Sequence, residues 1–217
     1  MSRNRIVPAI AALVVALVAV SLFVVQRNAQ PSYESVGNGL DLGPSVQHTR
    51  VGSDIIIQIA TGALTSAAGN ANGALPPMGE NIPTPDEQAL LDMTNADRAQ
   101  NGLPPVAFDP DSLQVARVRA AAQLPDGPLS HYNSLGELAF VGLLSDAGVE
   151  YSLAGENLAR SSNTDPSTVT LLNNALMNSP AHRANILEPS FNLLAVGAAS
   201  GSDGRLAFAE IFRDSSE

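Results

Sequence analysis

The sequence predicts an α+β domain carried behind a membrane-spanning leader, and three observations carry that prediction. Four helix-like segments precede two strand-like runs toward the C-terminal end. A long apolar run without charge lies near the start, and a stretch rich in Gly, Ala, Ser, Asn and Pro separates the two. Helices followed by a hairpin imply a sheet that helices cover. The expected division is 1–27 for an anchor or signal segment, 28–83 for a low-complexity tether and 84–217 for the domain.

The apolar run Ile6–Val25 holds 20 residues. At about 1.5 Å per residue it spans roughly 30 Å, the hydrocarbon thickness of a bilayer. Arg3 and Arg5 precede it and only Arg27 follows closely, which keeps the N-terminus in the cytoplasm and puts the remainder outside. An uncleaved transmembrane anchor is the first reading. A cleaved secretory signal is the alternative, although the small residues that suit cleavage, Ala19–Ser21, fall inside the apolar run. Either way the rest of the chain is extracytoplasmic, anchored or secreted.

The tether, if unstructured, has an end-to-end distance on the order of 40 Å. Within it Asp54–Ala60 is a β-branched run suited to a strand that docks on the domain or on a partner, and His48 reads as an exposed bystander. Thr84 then opens the domain: Thr84 as N-cap, Pro85 in first position and Glu87 closing a capping box start a helix that ends near Asn101 and Gly102. Asp109 and Pro110 are expected to open a second helix with Val115, Val118 and Ala122 on its apolar face. A third is expected over Leu135–Ala147. A fourth opens at Pro166 and turns Val169, Leu172 and Leu176 to the core. The runs LLAVGAAS and GRLAFAEIF, separated by GSDG, form the hairpin.

Charge narrows function. The 217 residues carry a net charge of −10, and all of it falls in residues 84–217, where seven Arg face seventeen acids. There is no Lys, so no basic stripe exists for nucleic acid. There is no cysteine either, so an exported domain of this kind stands on its core without disulfides.

Three histidines leave few constellations. His131 sits in PLSHYN, Glu156 in AGENLAR and His182 in MNSPAHRANIL, 25 and 26 residues apart, so only the fold can bring them together. Each also has a plain structural reading: a loop histidine, a carboxylate bracing a turn, and a ring that orders a helix start. Ser179 can cap a short helix that Pro180 opens; His182 then lies in its first turn, where the positive helix end favours a neutral ring. Ser130 and Ser179 lie near histidines, but no nucleophile elbow accompanies them, which argues against a serine hydrolase. Asn95 and Arg98 read as a buried polar bridge between helices, and Arg183 as a surface tie.

Taken in order, LLDMTNADRAQNGLPPVAFDPDSLQVARVRA, SHYN, YSLAGENLA, MNSPAHRANILEPSFNLLAVGAA and AFAEIFRD resemble the bacterial branch of the CAP superfamily, also called SCP domains. The resemblance runs from about residue 86 to 213. It implies an α-β-α sandwich with a cleft in which His131, Glu156 and His182 face one another. Some members bind a divalent metal there, so His131, His182 and Glu156 are the implied ligands for a cation such as zinc. The family's second Glu would fall near Asn178–Ser179, where no carboxylate stands; Leu176 replaces a family Trp, and Glu210 replaces the usual Gln of the last strand. Leu206, Phe208, Glu210 and Phe212 share one strand face, so Glu210 must find a partner or take a proton. Whether it reaches His182 is open, and it joins the three as a candidate cleft residue.

The functional expectation is a binding or interaction module that meets a lipid, an envelope component or another exported protein through this cleft. A cell-envelope hydrolase using the same residues, with or without a metal, is the alternative. A structural spacer is the third.

Overall fold

The computed structural model describes residues 34–37, 39–43, 45–49, 81–162 and 165–215, all within the compact unit Pro31–Glu217. The expected anchor Ile6–Val25 and the run Asp54–Ala60 lie outside the described residues. Among the described residues no helix is long and apolar enough to cross a membrane.

The elements run β1 (Glu34–Gly37), β2 (Leu40–Leu42), β3 (Val46–Thr49), α1 (Pro85–Gln100), β4 (Ala107–Phe108), α2 (Leu113–Ala121), α3 (Ala139–Asp146), β5 (Leu153–Ser161), α4 (Thr168–Asn178), α5 (Pro180–Ile186), β6 (Leu193–Ser200) and β7 (Leu206–Arg213). The strands form one sheet in the order β1-β2-β5-β7-β6-β4, with β3 also paired to β5. β6 and β7 make the expected antiparallel hairpin, from Leu193↔Arg213 to Ser200↔Leu206.

Side chains alternate across β7, so the two faces of the sheet differ. Leu206, Phe208 and Phe212 join Leu90 and Leu91 of α1, Leu172 and Leu176 of α4, and Ile186 of α5 in a large aliphatic and aromatic core. Phe191 stacks on Phe212 with ring centres 5.5 Å apart. On the other face Ala154, Ala195 and Ile211 meet Val115 and Ala116 of α2 and Phe140 and Leu144 of α3. A floor of Ala199, Ala207 and Ala209 continues under Ala120. The result is the α-β-α sandwich implied by the resemblance, with α1, α4 and α5 on one side and α2 and α3 on the other.

α1 begins as expected. The Thr84 hydroxyl accepts from the Glu87 amide at 3.4 Å and Glu87 Oε2 accepts from the Thr84 amide at 2.7 Å. Glu87 is also fully buried and takes both Nε and Nη2 of Arg117, at 2.9 and 2.8 Å. Burial pushes its carboxyl up, but bonds from Arg117, Thr84 and Ala198 outweigh that and hold it below the usual carboxylate range. The cap therefore also ties α1 to α2.

α2 departs from expectation. It starts at Leu113, not at Pro110, and Asp109 instead accepts from Arg213 at 2.6 and 2.8 Å. Val118 is 43% exposed, whereas Ala116, Arg117, Arg119 and Ala120 turn inward. The reason is close approach: a Cβ added to Gly197 of β6 would come within 2.1 Å of the Ala116 backbone. A helix this near the sheet can bury only small side chains beneath it and long ones that reach past its edges. α3 is shorter than expected, Ala139–Asp146. α4 starts at Thr168 rather than Pro166 but buries Val169, Leu172 and Leu176 as expected.

Two corrections concern the N-terminal part. Residues read as tether include β2 and β3, which run antiparallel along β5, with Leu40↔Ser161 to Leu42↔Ala159 and Val46↔Glu156 to Thr49↔Leu153. His48 is accordingly no bystander: its Nδ1 lies 3.1 Å from the Tyr151 hydroxyl, and the two rings meet edge to face. Neither strand has the length or alternation that marks one in sequence, and β5 supplies the hydrogen-bonding edge that holds them.

Candidate functional site

Glu156 lies in the middle of β5, a strand placed where the sequence reading saw only a turn. Its side chain points to the α2 face. There Arg119 donates through Nε to Oε1 at 2.7 Å and through Nη2 to Oε2 at 3.2 Å. His131, in the loop after α2, contacts Oε2 through Nδ1. Arg119 also donates to the Ser130 carbonyl at 2.6 Å, so one guanidinium fixes both the acid and the loop that carries the histidine. Glu156 and His131 are fully buried and Arg119 nearly so.

His182 approaches from the opposite side, on α5. Pro180 opens that helix and Ser179 is its N-cap by position, as expected. The Ser179 hydroxyl is bonded not to the backbone but to His182 Nδ1, at 2.8 Å. His182 is 2% exposed, with the Gly43 backbone beside its ring. Burial lowers its pKa to about 4; the Gly43 backbone pulls the other way, and the neighbouring His131 adds to the lowering. The ring is neutral at physiological pH.

The two histidines and Glu156 are thus gathered around the β5 edge, but they do not line an open cleft. Leu42 and Gly43 are buried over the same edge, and the Gly43 amide donates to the Leu158 carbonyl at 3.1 Å. The expected ligand set His131, His182 and Glu156 does not form a metal sphere in this arrangement. Both Glu156 oxygens are held by Arg119 and His131, and among the described residues no group of three His, Asp or Glu side chains converges to hold a metal ion.

Glu210 lies directly across from Asn157 in the β5–β7 ladder. Its Oε2 accepts from Asn157 Nδ2 at 2.9 Å and its Oε1 from the Thr94 hydroxyl at 3.0 Å. Burial raises its carboxyl to about 7, against the lowering effect of the Asn157 and Thr94 bonds. It meets His182 only through Asn157, whose Nδ2 also donates to the His182 carbonyl at 3.2 Å. Glu210 therefore belongs to a polar bolt beneath α5 and not to the group around Glu156. Asn185 completes that bolt, donating to Asn157 Oδ1 at 2.9 Å.

The remaining candidates separate cleanly. Ser130 bonds within its own turn, to the Tyr132 carbonyl at 3.2 Å and the Tyr132 amide at 3.1 Å. Arg98 is fully buried and donates to the carbonyls of Pro104, Ile186, Glu188 and Phe191, while Asn95 pairs with the Val106 backbone. Arg98 thus joins α1 to the end of α5, as the expected bridge between helices, and with Asn95 it also anchors the adjoining loops. Arg183 is exposed and makes no ion pair among the described residues, so it is not the expected surface tie.

Sequence reasoning missed Arg119, which organises the site. One signal was available: a chain with seventeen acids, seven Arg and no Lys in its domain uses each guanidinium sparingly. Arg is also the cation suited to a buried bidentate pair.

Comparisons with known proteins agree with the fold. Residues 91–212 match the family model of the CAP, or cysteine-rich secretory protein, family. The Bacillus subtilis protein YkwD is 32% identical over 111 residues, which is 51% of this chain and 41% of that protein. The Bacillus subtilis membrane protein YlbC is 29% identical over 120 residues, 54% of this chain and 32% of that one. The chain thus spans less than half the length of either relative. An outer surface protein from Borrelia burgdorferi superposes with a TM-score of 0.51 at 19% identity, over 64% of this chain and 100% of that one, a likeness of fold alone.

Proposed function

The chain belongs to the CAP family of cysteine-rich secretory proteins, and on that footing we propose that it is an extracytoplasmic binding module rather than an enzyme, held at the membrane by Ile6–Val25 or secreted if that segment is cleaved. The name of one relative, the Bacillus subtilis membrane protein YlbC, supports this location. The observation that carries the binding reading is the state of Glu156. Both of its oxygens are occupied by Arg119 and His131, and the whole group is shut away from water. A hydrolase using these residues needs a carboxylate free to take a proton and a water to activate. A binding module needs a rigid frame beneath an exposed rim, and here Tyr132 and Leu135, 49% and 79% exposed, stand on the loop that carries His131.

The module meets a lipid, an envelope component or another exported protein at this rim. Incubating the purified full chain with peptidoglycan fragments, a model peptide and lipid vesicles tests the reading. The expected result is retention of one of these probes without turnover, weakened by Tyr132→Ala. Cleavage products that disappear in Glu156→Gln would overturn it in favour of the hydrolase.

A further inference from the structure

Residues 40–43 and 45–49 do more than extend the sheet. Without them β5 would be its edge, a row of unpaired N–H and C=O groups between Leu153 and Ser161. We propose that this segment is an internal copy of the ligand the domain takes: an extended polypeptide that adds antiparallel to β5, which the same edge accepts from another exported protein. The proposal rests on the binding reading above and gives it a ligand class.

Strand addition of this kind draws affinity from the main chain and specificity from pockets for alternate side chains. Both are present. Leu40 and Leu42, two residues apart, are 5% and 1% exposed and enter the core between the sheet and α4. Between them Asp41 meets Arg160 Nη2 at 3.1 Å. Next comes a position crowded for any side chain, because a Cβ on Gly43 would lie 3.0 Å from Leu129 and 3.3 Å from Leu158, and those side chains would have to give way. The helix that bears His182 also reads the strand: Asn185 Nδ2 lies 2.7 Å from the Ser45 hydroxyl and 3.2 Å from the Val46 carbonyl. The preferred ligand is therefore an extended segment with Leu at alternate positions followed by Gly.

The register shows how the segment crosses the site. Leu42 pairs with Ala159 but Val46 pairs with Glu156, so the segment carries one residue more than the stretch of β5 it faces. The extra residue falls between Gly43, whose amide still donates to the Leu158 carbonyl at 3.1 Å, and Val46, next to the turn where Gly43 meets His182. A ladder that goes out of step at one point is a place where pairing opens readily.

An internal strand of the same chain competes at an effective concentration near mM. A free peptide of residues 39–49 should therefore bind the wild-type chain weakly. Gly43→Val in the full chain, which unseats the internal strand, should bind the labelled peptide at least about 100-fold more tightly by fluorescence anisotropy. A scrambled peptide should not bind. A Gly43→Val protein that melts cooperatively yet shows no gain overturns the proposal.

Hydrogen exchange on the wild-type chain gives a second reading that does not depend on the variant folding. Amides of 40–49 should exchange through local opening, faster than those of the β6–β7 ladder. Exchange of both at one global rate overturns the proposal. Peptide binding that persists in Gly43→Val/His182→Ala sustains the strand site while removing His182 from recognition, so a failure of the earlier reading is told apart from a failure of this one.

Discussion

Replacing Glu210 with glutamine should make the protein more stable, but only on the alkaline side. The carboxyl is buried and raised from 4.5 to about 7. In the unfolded chain it ionises near 4.5, so between pH 4.5 and about 7 the folded state keeps a proton that the unfolded state has released. Its contribution to stability is complete below pH 4.5 and is lost as pH rises to about 7. At about 1.4 kcal/mol per pH unit the wild type has given up about 3 kcal/mol by the top of that window. Glutamine never ionises and fits the same contacts. Its carbonyl accepts from Asn157, and its amide donates to the Thr94 hydroxyl, which turns to receive it. Urea melts followed by circular dichroism should give equal stabilities at about pH 4.5. At about pH 8 Glu210→Gln should lead by about 3 kcal/mol, or roughly 6–12 °C in Tm. A difference of the same size at both pH values would refute the reasoning, because it would arise from packing and not from the proton.

Other perturbations follow from the same geometry. His182 ionises near 6.5 when unfolded and near 4 when folded, so its contribution is present above pH 6.5 and fades as pH falls toward 4, by about 3 kcal/mol. It opposes the slope of Glu210, so these two groups leave the wild type nearly level between pH 4.5 and 6.5, whereas Glu210→Gln should gain stability steadily over that range in chemical melts. Arg119→Met strips Glu156 of its bidentate partner and should cost about 3–5 kcal/mol in urea denaturation, with Arg119→Met/Glu156→Gln recovering a large part. Gly197→Ala drives a methyl into the Ala116 backbone and should lower stability by about 1–3 kcal/mol or more in thermal melts, where an ordinary strand glycine would gain from alanine. Arg98→Lys keeps the charge but loses the planar fork on four carbonyls; a loss below about 0.5 kcal/mol would contradict the assigned role.

How much of this was legible depended on whether a feature is written locally. The capping box at Thr84 and Glu87, the Pro180 helix start and the β6–β7 hairpin have short-range signatures, and each stands where it was expected. The inward face of α2 was misread because hydrophobic periodicity weighs Val118 above Ala116. The closeness of Gly197 reverses that order, and nothing near α2 in sequence reports it. β5 was missed because its central GEN triplet is polar, yet Glu156 and Asn157 are buried by partners from α2, α5 and β7. The candidate site was found by resemblance to a family. Its closure came from residues 40–49, whose short paired runs look like tether until an edge is supplied.

The placement of the guanidinium groups has an effect far from the core. Five of the domain's arginines, Arg98, Arg117, Arg119, Arg160 and Arg213, are buried, and Arg205 is spent on Asp126 and Asp203. Against the exposed Arg183, the outer shell carries acids such as Asp86, Asp92, Asp111, Asp146 and Glu150, all exposed. Neighbouring copies therefore push each other apart within a Debye length of about 8 Å at physiological ionic strength, more strongly when salt is dilute. Crowding such a surface disperses the molecules instead of clustering them.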